Sequence, residues 1–112
     1  MHSSELLKGS LQTIILKLLA DNQRMYGYEI TQKVKALSDG KLVLTEGALY
    51  PTLHKLEAAG LLSTEKVKMG KRVRKYYALT TEGKSTVVQR LEDFEAFIAT
   101  MFKVLQISPS LK

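Results

Sequence analysis

Between Leu61 and Leu79 the apolar residues of this chain change their spacing. Elsewhere they recur every three or four positions, whereas here Val73, Lys75, Tyr77 and Leu79 alternate with Arg74, Tyr76 and Ala78 around a turn at Met69-Gly70. A period of two belongs to strands, so this stretch reads as one β-hairpin inserted into an otherwise helical chain. The hairpin also holds Lys66, Lys68, Lys71, Arg72, Arg74 and Lys75, a run of bases without an intervening acid. The 112-residue chain has 17 bases and 11 acids, so setting those six aside leaves the rest balanced and places the whole net charge of +6 in the hairpin. Two or three lysines would protect an exposed strand edge from aggregation. Six are more than that role needs, and a concentrated basic stripe is the footprint of a polyanionic partner.

The flanking segments are helical by the same test. Leu7, Leu11, Ile14 and Leu18, widened by Leu6, Ile15 and Leu19, predict a helix over residues 4–20 that ends at Asp21-Asn22. After Gly27, the residues Ile30, Val34 and Leu37 mark a second helix, stopped by Ser38-Asp39-Gly40. Leu42-Val43-Leu44 is too short for a helix and is expected to be a brief strand. Thr45 then supplies a capping hydroxyl and Glu46 an acid in the first turn of a third helix, with Leu49, Leu53 and Leu56 facing inward and Gly60 as its C′ residue. Pro51 lies inside that helix, where it removes a backbone donor and crowds the carbonyl of Gly47, so a kink or an irregular first turn is expected. Thr80 or Thr81 caps a final helix in which Val87, Leu91, Phe94, Ile98, Met101 and Leu105 recur at heptad spacing before Ser108-Pro109-Ser110 ends it.

This order of elements predicts a mainly α fold with a small β-hairpin: a winged helix-turn-helix over residues 1–80, a long C-terminal dimerisation helix over 81–107 and a tail over 108–112. In such a fold the third helix enters the major groove and the hairpin, or wing, follows the phosphate backbone. A rigid, narrow element is needed to reach base edges, whereas flexible cationic side chains suffice for phosphates. With the leucines of the third helix turned inward, Gly47, Ala48, Pro51, His54, Lys55 and Ala58 occupy the opposite face. Thr45, Gly47, Ala48, Tyr50, Pro51, His54 and Lys55 are therefore the candidate recognition-helix residues, and Lys68, Lys71, Arg72 and Arg74 the candidate wing contacts. An ordinary solvated helix face would have the same composition; the nearby basic hairpin is what favours DNA. Tyr26 and Tyr28, at the start of the second helix, have phenols suited either to a phosphate or to an internal hydrogen bond. Tyr76 and Tyr77 read as sheet residues packed against helices.

The last helix spans about 36 Å at 1.5 Å per residue, too long for a small three-helix domain to cover. Its seam of Val87, Leu91, Phe94, Ile98, Met101 and Leu105 is expected to pack partly on the first helix and partly on a second copy. A two-fold dimer would present two recognition helices about 34 Å apart to a palindromic operator in double-stranded DNA.

Several classes are excluded by inventory. Without cysteine there is no disulfide, zinc-thiolate site or iron–sulfur cluster. Two histidines and no phosphate-cradling glycine loop leave neither a nucleophile nor a cofactor motif, so no enzyme, metal or cofactor is expected. No apolar run approaches the 18 or so residues of a membrane span. The sequence Met1-His2-Ser3-Ser4-Glu5 lacks the features of a secretory signal, which makes the cytoplasm the expected location. The competing functions are a winged-helix protein–protein interaction module and a DNA-binding regulator without a small-molecule ligand.

Several motifs together resemble the PadR family of transcriptional regulators. They are Leu7-Lys8-Gly9-Ser10-Leu11, Tyr26-Gly27-Tyr28-Glu29-Ile30, the run from Glu46 to Glu57 with its Leu49-Tyr50-Pro51 tripeptide, Gly60-Leu61-Leu62, and Lys75-Tyr76-Tyr77-Ala78-Leu79-Thr80 with Gly83. The resemblance spans nearly the whole chain and implies that Pro51 is tolerated within the helix. It also implies a dimeric repressor, joined through a single C-terminal helix and relieved by a small aromatic or amphipathic effector. Some compact members of the family hold flat aromatic drugs in a dimer-interface pore lined by tryptophan. This chain has no tryptophan, and Phe94 and Phe97 are the residues that could supply aromatic surface there, interface packing being their other role.

Overall fold

A computed structural model describes residues 4–108. In chain order it contains α1 (Ser4–Asp21), β1 (Met25–Tyr26), α2 (Gly27–Leu37), α3 (Glu46–Ala58), β2 (Leu62–Met69), β3 (Arg72–Leu79) and α4 (Thr81–Leu105). The mainly helical architecture with a basic hairpin is the fold class expected from the period change. The strands form one antiparallel sheet in the order β1-β3-β2.

One continuous core explains the helices. Leu11, Ile15, Leu16, Leu18 and Leu19 of α1 meet Ile30 and Val34 of α2 and Leu49, Leu53 and Leu56 of α3, with Tyr77 of β3 and Val87 of α4 closing the cluster. Truncating one of these fully buried leucines to alanine costs about 2–5 kcal/mol. The stripe of α1 is rotated slightly from its expected position, since Leu16 is fully buried while Leu6 is 74% exposed. Leu37 was expected on the inner face of α2 but lies at its last position, exposed, where the chain turns away at Ser38.

Local chemistry sets the helix ends. The Thr45 hydroxyl accepts the Ala48 N–H at 3.2 Å, and Thr80, rather than Thr81, accepts the Gly83 N–H at 3.0 Å. At the end of α3 the Leu61 and Gly60 N–H groups reach back to the carbonyls of Leu56 and Glu57, the Schellman pattern. Pro51 lies within α3, which runs continuously from Glu46 to Ala58, so the helix tolerates the proline in its interior. The Thr52 hydroxyl, one position on, donates to the Ala48 carbonyl at 2.9 Å.

Two strand expectations need correction. Leu42-Val43-Leu44 is not a strand: Leu44 drops into the core and the Leu42 N–H donates to the Ser38 hydroxyl at 2.9 Å, satisfying the backbone without a ladder. The strand instead forms at Met25-Tyr26, which pairs with Tyr77 and Tyr76 of β3. The hairpin is regular, with eight paired positions from Leu62↔Leu79 to Met69↔Arg72, and its two-residue loop is Gly70-Lys71, one residue beyond the expected Met69-Gly70.

α4 begins on the wing and then leaves the domain. A side chain at Gly83 would collide with the Leu61 carbonyl, so the helix starts in direct contact with the backbone at the hairpin root. Its first half packs on α1, where Arg90 donates to the Gln12 side chain at 2.8 Å. Val87 is buried and Leu91 half-buried in this contact, so the first two residues of the expected dimer seam are occupied within their own chain. Farther along, Phe97, Ile98, Val104 and Leu105 are exposed, while Phe94, Met101 and Phe102 are half-buried. The helix ends at Leu105, with Gln106 in the left-handed region at φ 57°. Pro109 and Ser110, expected to follow it, lie outside the described residues.

Candidate nucleic-acid interface

Three stretches that are distant in sequence meet in one cleft. Tyr26, Gly27 and Tyr28 at the start of α2, Tyr50 of α3, and Met69, Arg72, Val73, Arg74, Lys75 and Tyr77 of the wing line a depression of about 400 Å³. Four of the chain's five tyrosines and three of its cations are gathered there, with no acid among the lining residues. Of the residues expected to touch DNA, the fold brings Tyr26, Tyr28, Tyr50, Arg72 and Arg74 together at this cleft. Thr45 at the cap of α3 and Gly47, Pro51, His54 and Lys55 on it are exposed outside the cleft, and Lys68 and Lys71 are exposed on the wing. Ala48 is half-buried and packs against the core, which leaves it less available than its neighbours on α3.

The two tyrosines near Gly27 behave differently. Tyr28 is 63% exposed, so its phenol is available to solvent or a partner. The ring of Tyr26 is enclosed: the Arg74 guanidinium carbon lies 4.0 Å from its centroid, and the Tyr76 ring meets it edge-on at 5.5 Å and 81°. The Tyr26 N–H, at the α2 cap, donates to the Glu29 carboxylate at 3.1 Å.

Tyr50 joins α3 to α2. Its hydroxyl occupies the space that a Cβ at Gly27 would require, so the absence of a side chain at Gly27 permits the approach. Burial, followed by the negative charge of Glu46 and the proximity of Tyr77, raises the Tyr50 phenol above its ordinary pKa of 10.0. It is a neutral phenol at physiological pH.

The six bases of the hairpin are not equivalent. Lys66, Lys68, Lys71 and Arg72 are exposed. Lys75 is half-buried, 3.8 Å from Glu57 on α3 and 5.3 Å from the centre of the Tyr77 ring. Arg74 stacks on Tyr26 and donates to the Tyr76 hydroxyl at 3.4 Å. That hydrogen bond is the first cause of a pKa raised still further above the ordinary guanidinium value. Sequence reasoning missed Gly27, Met69, Val73 and Arg24. Met69 and Val73 are apolar yet exposed near the wing tip, and Arg24 ion-pairs with Glu65 of β2 while lying 4.1 Å over the Tyr76 ring. Their positions depend on strand register and on the approach of α3, neither of which leaves a local signal.

Among the described residues, no group of His, Cys, Asp and Glu could hold a metal ion, and no helix is long and apolar enough to cross a membrane. Comparison with known proteins gives a consistent result. Residues 15–89 match the model of the transcriptional regulator PadR-like family. A transcriptional regulator of Mycobacterium tuberculosis is 35% identical over 85 residues, covering 76% of each chain. The structure of a transcriptional regulator from Clostridium thermocellum superposes with a TM-score of 0.82 at 31% identity, covering 92% of this chain and 97% of that one. A PadR-like transcription factor from Bacteroides fragilis gives 0.72 at 33% identity, covering 90% and 95%. With its three-helix core, its wing and its match to that family over residues 15–89, this chain belongs to the PadR-like family of transcriptional regulators.

Proposed function

We propose that the chain is a homodimeric repressor that binds a palindromic operator, with α3 in the major groove and the wing on the phosphate backbone. The observation that carries this reading is the convergence of α2, α3 and wing residues on one acid-free, tyrosine-lined cleft, beside an exposed α3 face bearing Thr45, Gly47, Pro51, His54 and Lys55. Lys68, Lys71 and Arg72 hold phosphates, which fixes register. The α3 face reads base edges, which provides specificity. Two copies join along the exposed part of α4, and the family supports repression relieved by a small aromatic effector. Phe94 and Phe97 on α4 offer aromatic surface for that effector or for the partner helix.

Binding of fluorescent duplexes carrying an inverted repeat, followed by anisotropy across a salt series, tests the proposal. Each phosphate contact contributes about −0.9 to the slope of log K against log salt. Lys71→Ala and Arg72→Ala should each reduce the slope by about that amount and weaken binding to all sequences alike. His54→Ala or Lys55→Ala should instead narrow the gap between operator and unrelated DNA. Affinity that ignored salt would refute phosphate contact and make the basic hairpin a protein-docking surface.

A further inference from the structure

Arg74 differs from its neighbours on the wing. Its guanidinium covers the Tyr26 ring at 4.0 Å, Tyr26 meets Tyr76 edge-on at 5.5 Å, and Arg24 covers Tyr76 at 4.1 Å. Two rings in edge contact are thus held between two cations, across β3, β1 and the loop before it. The stack is tied internally by the 3.4 Å bond from Arg74 to the Tyr76 hydroxyl and externally by the Arg24–Glu65 ion pair to β2. Its place in the hairpin gives it leverage. Arg74 pairs with Val67, and beyond that pair residues 68–73 are all exposed. The ladder between β1 and β3 comprises only Met25↔Tyr77 and Tyr26↔Tyr76. The stack is therefore the last side-chain anchorage before a free tip that holds Lys68, Lys71 and Arg72.

We propose that Arg74 is a positioning residue, not a phosphate contact: through the Arg74–Tyr26–Tyr76–Arg24 stack it fixes the angle at which the wing presents its other cations. The inference rests on the reading of the wing as the phosphate-binding element. A lysine keeps the charge but lacks the planar guanidinium that lies over the Tyr26 ring while donating to the Tyr76 hydroxyl, so it reproduces the stack only in part. Charge-conserving and charge-neutral substitutions therefore separate the two roles.

The experiment measures duplex affinity over a salt series together with amide exchange of residues 68–73 in the free protein. Arg74→Lys should weaken binding about tenfold and flatten the salt slope although no charge is lost, whereas Arg72→Lys should stay within about twofold. Tyr26→Leu, which removes no charge, should flatten the slope in the same way, and Tyr26→Phe, which keeps the ring, should not. Wing-tip amides should exchange faster in Arg74→Lys and Tyr26→Leu with the exchange of the helical core unchanged. An Arg74→Lys variant that matches Arg72→Lys in affinity, slope and exchange would overturn the proposal, whether or not Tyr26→Leu folds. Failure of the wild-type protein to bind duplex in a salt-dependent way would instead sink the phosphate reading, and the exchange measurements would still decide whether the stack holds the wing.

Discussion

Single atoms decide several features of this fold. Gly83 sits in α4, where alanine would ordinarily be preferred by about 1 kcal/mol, yet its missing Cβ lies against the Leu61 carbonyl. Overpacking against backbone costs about 1–3 kcal/mol, so Gly83→Ala is expected to destabilise despite the better helix former. Gly9 in α1 has open space around it, and Gly9→Ala should stabilise by about 0.5–1 kcal/mol. Urea denaturation of the two variants checks both signs, and a stabilised Gly83→Ala would contradict the close approach. Tyr50 gives a pH prediction. Its phenol titrates higher in the folded than in the unfolded chain, so its contribution is complete below pH 10.0 and is lost as the pH rises through the folded value. Melting temperatures should fall above that pH, and the fall should be shallower in Tyr50→Phe.

At the scale of elements, the sequence disclosed whatever repeats or caps locally. The leucines of α3, its Thr45 cap and the alternation in β3 were all legible, because each obeys a spacing rule within a few residues. β1 was not, since two residues carry no period and Met25-Tyr26 becomes a strand only because β3 offers a free edge. Leu42-Val43-Leu44 has better strand composition but pairs with no strand; burial of Leu44 and the bond from the Leu42 N–H to the Ser38 hydroxyl accompany its irregular conformation. The candidate interface divides in the same way. Composition located the basic segment, but that Arg74 and Lys75 are engaged by tyrosine rings and by Glu57 is a through-space fact set by hairpin register. Pro51 supplies the element-scale prediction. It is exposed within α3 and leaves the Gly47 carbonyl without its helical donor. Pro51→Ala should therefore stabilise α3, by up to about 3 kcal/mol if no other contact compensates. Chemical denaturation reads this directly, and a loss of stability would show that the pyrrolidine ring packs productively.

At the scale of the molecule, the chain extends 54 Å in its longest dimension but only 30 and 23 Å in the others. The apolar surface of α4 beyond Phe94 is covered in the proposed dimer, and Ile98 lies within it. Ile98→Glu should yield a monomer by sedimentation velocity with its helical circular dichroism largely kept, because Ile98 is outside the core of its own chain. A persistent dimer would move the interface to another face. Operator affinity should fall when dimerisation is lost, since each half-site would then be bound alone.

The junction between wing and α4 has a mechanical consequence. Thr80 is the only residue between the end of β3 at Leu79 and the start of α4 at Thr81, and it is bonded through its N–H to Leu61 and through its hydroxyl to Gly60. Such a joint has no slack. In a dimer joined through α4, any tilt of one long helix against the other is passed to β3 as displacement of the wing and to the end of α3 at Gly60. The distance between the two reading heads is then geared to the angle of the helix pair. In the proposed dimer, an effector wedged between the α4 helices would change operator spacing without touching any of the proposed DNA-facing residues.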